Sequence, residues 1–267
     1  MIKLIASDLD GTLLLPDGSL PEETLRLIER LFEKGVLFCV ASGRQYESVK
    51  RLFAPVADKI VFIAENGALV YYKGELLYDN RLTEDVLPTI FAAVRAQKDA
   101  YPLLCCAENA YAEDDYAPFF KECAKYYPNF KRVNKFEDAL NGDPVCKVAV
   151  FDDRGAAEHS GKTLPALLPD FRVIVSGKVW SDISMPEVNK GNAMKFIQQH
   201  FGFLREECVA FGDYMNDLEL LLAVGHPFVT ANGFDGLKEK IGYERVILSN
   251  AEKGVIQKME ELLRGEL

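Results

Sequence analysis

The sequence lacks the features of several large classes of protein. Its 267 residues hold no internal repeat, low-complexity tract or long linker. No apolar run approaches the roughly 20 residues of a membrane-spanning helix, and no long apolar segment precedes the first acidic residues. We therefore expect a globular protein without a signal peptide and without a membrane partner.

Paired cysteines and an excess of positive charge are also absent. The six cysteines include no CxxC pair, and Cys39 and Cys208 lie in apolar runs that are typical of buried thiols. We expect reduced cysteines and a cytoplasmic location. The formal net charge of −10 disfavours binding to nucleic acid or to an anionic membrane surface. An anionic substrate stays possible if local cations or a metal offset that charge.

What the sequence does contain is an alternation of apolar strands and amphipathic helices. The patterns predict strands near 2–6, 36–40, 60–64 and 208–211, and helices near 21–34, 45–53 and 191–200. Continuous apolar strands separated by helices indicate a parallel sheet that is covered on both faces. The predicted fold class is therefore α/β, with a doubly wound, Rossmann-like parallel-sheet core.

The pattern changes between about residues 83 and 184. There it predicts helices near 83–98, 117–126 and 156–167, and strands near 101–106, 145–151, 171–175 and 179–183. We expect this segment to be an α+β cap domain inserted in a core domain formed by 1–82 and 185–267. In the core we also predict a capping box of Ser19 and Glu22, a hairpin over 69–77, strands near 228–230 and 245–248, and helices from about 215 and 251.

Two carboxylates end the first predicted strand, in the segment Asp8-Leu9-Asp10-Gly11-Thr12. Because side chains alternate along a strand, Asp8 and Asp10 can face the same side. A strand followed by an Asp-Gly turn would explain Asp10 but not Asp8. A reaction in which one carboxylate attacks while the other handles a proton would explain both.

Two further segments offer cations and hydrogen-bond donors at helix starts. Ser42-Gly43-Arg44 follows the second strand, and Lys190-Gly191 begins the helix near 191–200. A helix N-terminus binds phosphate, to which Ser42 adds a hydroxyl and Arg44 a planar cation. Lys190 is unfavourable for the helix dipole unless an anion lies nearby. The alternatives are an ordinary serine cap and solvated surface cations.

Oxygen-bearing side chains follow the strand near 208–211, in the segment Gly212-Asp213-Tyr214-Met215-Asn216-Asp217. Residues three and four apart share a helix face, so Asp213, Asn216 and Asp217 can converge. Oxygen-only ligands suit Mg²⁺. The alternative is that Asp213 caps a helix while the other two side chains are solvated.

Ligand sites of open α/β sheets gather at the carboxyl ends of the strands, where all these segments lie. Together the segments resemble the motifs of the haloacid dehalogenase-like (HAD) phosphohydrolases, most closely those of the Cof-type subfamily. In order, 8–12 is similar to the nucleophile motif, 42–44 to the second motif, 190–191 to the third and 212–217 to the metal motif. Glu65-Asn66-Gly67-Ala68 is similar to the Asn-Gly element that precedes the cap.

The resemblance implies an activity and a cap type. It implies a Mg²⁺-dependent phosphatase that hydrolyses small phosphorylated metabolites, such as sugar phosphates, through an aspartyl-phosphate on Asp8. Asp10 would act as acid and then as base. Because the insertion lies between the second and third motifs, the cap resembles the C2 type.

The resemblance also implies roles for the remaining motif residues. The metal would bind to Asp8, to the backbone carbonyl of Asp10 and to Asp213, with Asp217 in support. Phosphate and substrate would be held by the backbone at Leu9 and Gly43 and by the side chains of Ser42, Arg44, Asn66, Lys190 and Asn216. The chain departs from the subfamily at Thr230-Ala231-Asn232-Gly233 and Lys253-Gly254-Val255, which touches packing but no catalytic group.

Three other functions stay open. A phosphomutase would pass the phosphoryl group to a sugar hydroxyl, and a sensor would bind a phosphorylated ligand without turnover. A pure interaction module would have no use for four polar clusters at strand ends. No motif indicates the oligomeric state.

Overall fold

The structure is a computed structural model that describes residues 1–127, 129–140 and 143–265. The chain forms two compact units, one of Met1–Asp79 with Asn189–Leu267 and the other of Asn80–Val188. Their bounds lie within a few residues of the predicted division into core and insertion. The role of the second unit as a cap stays a prediction.

The strands of the described residues, in chain order, are β1 Leu4–Ser7, β2 Leu37–Ala41, β3 Ile60–Ala64, β4 Leu69–Tyr72, β5 Glu75–Asp79, β6 Ala100–Cys106, β7 Ala110–Ala112, β8 Phe130–Arg132, β9 Val145–Asp152, β10 Arg172–Gly177, β11 Trp180–Ser184, β12 Cys208–Gly212, β13 His226–Thr230 and β14 Val246–Ile247. The α-helices are α1 Thr24–Glu33, α2 Tyr46–Leu52, α3 Leu87–Arg95, α4 Ala117–Tyr126, α5 Ser160–Leu167, α6 Lys190–Phe201, α7 Leu218–Leu222, α8 Asp235–Ile241 and α9 Gly254–Arg264.

The first unit is built on an eight-stranded sheet in the order β14-β13-β12-β1-β2-β3-β4-β5. The strands from β14 to β3 are parallel, and the β4–β5 hairpin adds two antiparallel strands at one edge. The strands β1, β2, β3 and β12 are buried along their whole length, which explains why their sequences are continuously apolar. The predicted α/β class with a parallel-sheet core is confirmed.

Helices cover the two faces of this sheet. On one face, α6, α7 and α8 pack against apolar side chains of the strands, with Met194, Ile197 and Leu237 fully buried. On the other, α1 contacts β2 and α9. The stripe that predicts α1 is Leu25, Ile28, Leu31 and Phe32. Ile28 and Leu31 are buried, as expected for an amphipathic helix, but Phe32 is exposed and Leu27 is buried in addition.

The second unit is an α+β structure with a six-stranded sheet in the order β10-β11-β9-β6-β7-β8. All of its strand pairs are antiparallel except β7–β8. Its two apolar clusters take alternate residues of β9, with Val148 and Val150 in one cluster and Ala149 and Phe151 in the other. Because side chains alternate along a strand, the sheet has a separate apolar core on each face.

The sequence patterns miss three elements and misplace one cap. They do not predict β7, β8 or α8, each of which is only three to seven residues long. The capping box of Ser19 and Glu22 is wrong, since α1 begins at Thr24 and the hydroxyl of Ser19 donates to Asp17 Oδ1 over 2.6 Å. Among the described residues, no helix is long and apolar enough to span a membrane.

Candidate active site

The chain turns sharply where β1 ends, and this turn presents Asp8 and Asp10. The N–H of Asp8 still donates to the carbonyl of Phe211 in β12 over 3.0 Å. Gly11 then has a φ of +79°, and a Cβ atom there would lie 2.3 Å from Oδ2 of Asp213. Only glycine fits this conformation and this contact, so the glycine brings the β1 turn against the carboxylate that follows β12.

Lys190, the first residue of α6, joins two of the predicted carboxylates. Its Nζ lies 2.6 Å from Oδ1 of Asp8 and 2.6 Å from Oδ1 of Asp217. The lysine and Asp217 are fully buried and Asp8 is nearly so. The two ion pairs supply the nearby anions that a lysine at a helix start requires.

Asp217 uses its second oxygen to shape the loop that carries Asp213. Oδ2 of Asp217 accepts from the N–H of Asp213 over 3.0 Å and from that of Tyr214 over 3.3 Å. Both oxygens of the buried carboxylate therefore have partners within the protein. This arrangement suits a supporting residue that orients the loop.

The carboxylates of Asp8, Asp213 and Asp217 form one group. Each offers an oxygen within 4.8 Å of the others, and the hydroxyl of Thr12 donates to Oδ1 of Asp213 over 3.0 Å. One lysine against three carboxylates leaves two formal negative charges, which a divalent cation would neutralise. The oxygen-only donor set fits Mg²⁺.

Burial and mutual repulsion raise the pKa values of this group. Burial and then the charge of Asp217 raise the pKa of Asp8 well above its ordinary value, against the opposing effect of Lys190. The same two causes raise the pKa of Asp213 to about 6. Burial disfavours the ammonium form of Lys190, but Asp217 and Asp8 outweigh it and hold the pKa of the lysine above its usual range. A cation near these carboxylates would therefore stabilise their charged forms.

The second motif and the Asn-Gly element are joined by their backbones. The carbonyl of Ser42 accepts from the N–H of Asn66 over 3.0 Å, and that of Arg44 accepts from the N–H of Glu65 over 3.1 Å. Nδ2 of Asn216 in turn donates to Oδ1 of Asn66 over 3.3 Å. These bonds connect the ends of β2 and β3 with the loop after β12.

Asp10 and Arg44 form an ion pair with each other. Nε of Arg44 donates to Oδ2 of Asp10 over 2.8 Å, and Nη2 donates to Oδ1 over 2.5 Å. The side chains are 60% exposed for Asp10 and 35% exposed for Arg44. The sequence predicts both residues at the site but does not predict that they pair with each other.

The structure thus links the predicted residues by direct contact into two sets. The first holds Asp8, Lys190, Asp213 and Asp217. The second holds Asp10, Arg44, Ser42, Asn66 and Asn216, because the N–H of Arg44 also donates to Oγ of Ser42 over 3.1 Å. Leu9 and Gly43 lie next to these side chains in the chain, Leu9 with its side chain buried.

Sequence analysis does not predict two asparagines that hydrogen-bond to the segment after β1. Nδ2 of Asn232 donates to the carbonyl of Gly11 over 2.7 Å, and its Oδ1 accepts from the N–H of Asn250 over 2.9 Å. Nδ2 of Asn250 also donates to the carbonyl of Leu14 over 2.8 Å. The asparagine retained in the departing segment Thr230–Gly233 was the signal for this contact.

Comparisons with known proteins agree with these motifs. The family model of the haloacid dehalogenase-like hydrolases matches residues 5–259. The chain is 28% identical to the 5-amino-6-(5-phospho-D-ribitylamino)uracil phosphatase YbjI of Escherichia coli, over 99% of this chain and 97% of that protein. It is 28% identical to an HMP-PP phosphatase of Cronobacter sakazakii, over 92% of this chain and 90% of that protein.

A solved structure extends the agreement to the fold. The chain superposes on SMU.1108c from Streptococcus mutans with a TM-score of 0.87, at 24% identity, over 99% of this chain and all of that one. The family match covers both units, and the named relatives are phosphatases. The chain therefore belongs to the haloacid dehalogenase-like hydrolases, as the Cof-type motifs predict, and is an enzyme of their phosphatase class.

Proposed function

We propose that this protein is a Mg²⁺-dependent phosphatase that hydrolyses small phosphorylated metabolites, chiefly sugar phosphates, through an aspartyl-phosphate on Asp8. The observation that carries the proposal is the pairing of Asp8 with buried Lys190 at the edge of a three-carboxylate group. A nucleophile held by a cation at the end of a central strand is what phosphoryl transfer requires.

In the first step, an oxygen of Asp8 attacks the phosphorus and the bond from phosphorus to the leaving oxygen breaks. Asp10 gives its proton to that oxygen, so an alcohol leaves. Asp8 is now an acyl phosphate and Asp10 is a carboxylate.

In the second step, water attacks the phosphorus of the acyl phosphate. Asp10 takes one proton from this water, and the bond between phosphorus and Asp8 breaks. The products are inorganic phosphate, a free Asp8 carboxylate and a protonated Asp10. Every group is returned to its starting state.

Asp8 and Asp213, with the backbone carbonyl of Asp10, are the proposed ligands of Mg²⁺. The ion would offset the repulsion between Asp8 and an anionic substrate. Asp217 supports the site by holding Lys190 and the backbone at Asp213. Its two oxygens are thereby occupied, which favours this role over direct ligation.

The phosphoryl oxygens require donors around them. We assign them to Lys190, to the hydroxyl of buried Ser42 and to the backbone N–H groups near Leu9 and Gly43. Asn216 and Asn66 hold each other at the same edge of the sheet. Donors fixed before the substrate arrives stabilise the transition state without reorganising.

The substrate class rests on the relatives. One acts on a phosphorylated ribitylaminouracil and another on HMP-PP, which supports a small phosphorylated metabolite as the substrate here. The leaving group would be selected by the insertion 83–184, which contains none of the motif residues.

A phosphate-release screen over a panel of metabolites tests the function. With Mg²⁺, we expect turnover of several small phosphate monoesters, loss of that turnover with EDTA, and its return with added Mg²⁺. Calcium should substitute poorly because its longer, looser coordination misplaces the nucleophile. Release that resists the chelator would contradict the metal assignment, and tight binding without turnover would favour a sensor.

A further inference from the structure

The ion pair of Arg44 and Asp10 is not explained by the separate roles that the motifs predict for them. Those roles are phosphate binding for Arg44 and proton transfer for Asp10. In the structure, both oxygens of Asp10 bind to the guanidinium, over 2.8 and 2.5 Å. Such a fork fixes the orientation of a carboxylate as well as its distance, which an ammonium group cannot do.

The backbone of Arg44 is anchored on both sides. Its N–H donates to Oγ of Ser42 over 3.1 Å, and its carbonyl accepts from the N–H of Glu65 over 3.1 Å. These bonds tie the arginine to the ends of β2 and β3. The backbone from which the guanidinium of Arg44 extends is therefore held at the edge of the sheet.

In the part of the chain that the structure describes, Arg44 supplies the hydrogen bonds to the side chain of Asp10. Its side chain is 60% exposed, and it precedes Gly11 in the turn after β1, at a φ of −73° and a ψ of 119°. An exposed carboxylate on a turn samples several rotamers, and a proton donor must be within hydrogen-bond reach of the atom that it serves. Something must restrict the rotamers of Asp10.

We propose that Arg44 is the positioning residue of Asp10, and that it serves the reaction through this carboxylate instead of by binding the phosphate. This inference rests on the proposed function, because it needs Asp10 as the acid. The two-bond fork in the structure belongs to the carboxylate form of Asp10, and while Asp10 carries its proton its other oxygen still accepts from the guanidinium. When Asp10 gives up that proton, the fork closes on the carboxylate that forms. The same fork then keeps that carboxylate beside the site for the attack of water.

A double-mutant cycle separates the two roles of Arg44. The variants are Arg44→Ala, Arg44→Lys, Asp10→Asn and the Asp10→Asn/Arg44→Ala double variant, with exposed Arg51→Ala as the matched control. Release of the leaving group is measured in single turnovers, on a hexose phosphate and on p-nitrophenyl phosphate. Nitrophenolate leaves without a proton, so this pair of substrates isolates the acid step. Thermal melts verify that each variant is folded.

We expect Arg44→Ala to slow release from the hexose phosphate about tenfold more than release from p-nitrophenyl phosphate, within the range of general-acid contributions. Arg44→Lys should show the same selectivity with a smaller loss, and Arg51→Ala should match the wild type. In the Asp10→Asn background, Arg44→Ala should add less than about a twofold loss, because residues that act as a unit are not additive.

The opposite pattern overturns the inference. A phosphate-binding arginine would slow both substrates by the same factor, raise the substrate concentration for half-saturation, and give losses that multiply in the double variant. The proposed function has its own test in the single variant Asp10→Asn. Equal slowing of both substrates by that variant alone would remove Asp10 as the acid, and the inference would fall with it.

Discussion

Asp8 is the residue on which the proposed chemistry depends. We expect Asp8→Asn to lower kcat by ~10⁴-fold or more, the scale of loss when a catalytic group is removed, because the amide cannot attack phosphorus. The fold should persist, and the melting temperature of the metal-free protein should not fall, since the neutral amide removes both the cost of burying the carboxylate and its repulsion with Asp217, which together raise the pKa of Asp8.

The control for this variant is Asp58→Asn, which changes an exposed carboxylate of the same unit. It should keep wild-type turnover. Steady-state phosphate release and circular dichroism of both variants are sufficient. Activity of Asp8→Asn within tenfold of the wild type would remove Asp8 as the nucleophile.

Asp213 gives metal binding a pH dependence. Its pKa of about 6 means that protons compete with Mg²⁺ below that pH, and the affinity should fall about tenfold per pH unit there. Since the folded-state pKa lies above the unfolded one, this group makes the metal-free protein more stable as the pH falls through 6. Above pH 6 the ionised Asp213 destabilises the metal-free folded protein by its full amount, and binding of Mg²⁺ should reverse this effect.

Thr12→Val sharpens this prediction. The hydroxyl of Thr12 donates to Asp213 and lowers its pKa, so removing it should raise that pKa. In calorimetric titrations, the loss of Mg²⁺ affinity should begin at a higher pH in the variant than in the wild type. An affinity that stays constant from about pH 7.5 to 5 in both proteins would contradict the placement of Asp213 in the metal site.

At the scale of elements, the turn after β1 depends on side chains from distant parts of the chain. Asn232, after β13, donates to the carbonyl of Gly11 over 2.7 Å. We expect Asn232→Ala to lower the free energy of unfolding by about 0.5–1.5 kcal/mol, the net contribution of a typical hydrogen bond, because the Gly11 carbonyl still accepts from the hydroxyl of Thr230 over 3.3 Å. Turnover should fall as well, because Gly11 abuts Asp213. Urea unfolding and kcat measure the two effects.

Asn134→Ala, at an exposed position of the second unit, is the matched control and should change neither quantity. If Asn232→Ala lowered stability without lowering kcat, the asparagine would support the fold only. If it changed neither quantity, the contact between Asn232 and Gly11 would contribute to neither stability nor turnover.

The sequence predicts a strand correctly where a single hydrophobic pattern spans the whole strand. Every residue of β1, β2, β3 and β12 is buried, so an uninterrupted apolar run was sufficient. Three-residue β7 and β8 have no such run, and β8 pairs in parallel with β7 across a connection that contains α4. The start of α1 was wrong because Ser19 satisfies Asp17 in the preceding turn, a local competition that periodicity does not register.

The sequence predicts which residues belong to the site, but it does not predict which side chains pair with each other. The order of the motifs is sufficient to predict that Asp8, Lys190 and Asp213 lie together, because parallel strands place their carboxyl ends at one edge of the sheet. The pairing of Arg44 with Asp10 and the contact of Asn232 with Gly11 join residues far apart in the chain. Such contacts depend on side-chain directions after the chain has folded, which spacing does not encode.

At the scale of the whole molecule, chemistry and selectivity are expected to separate. Residues 83–184 lie within the second compact unit, whose bounds are Asn80–Val188, and hold no motif residue. We expect that replacing them with a Gly-Ser linker leaves a core that binds Mg²⁺ and beryllofluoride. Its kcat/KM for the best substrate should fall and its ranking of sugar phosphates should flatten, because under this hypothesis the removed residues are the ones that select the leaving group.

Binding of beryllofluoride by the shortened protein shows that its core is folded. A folded core that kept the substrate ranking of the full chain would place selectivity in the first unit. A core that lost binding of both ligands, with native circular dichroism, would show that the second unit contributes to the chemistry itself.

The central claim is that the phosphoryl group passes through Asp8, and a covalent label tests it most directly. Substrate carrying ³²P in its phosphate is mixed with excess enzyme and Mg²⁺ and quenched in acid within milliseconds, and the labelled peptide is sequenced. We predict a transient label on the peptide that contains Asp8, and none in Asp8→Asn. Product formation with no label at any time, or a label on another residue, would contradict the account.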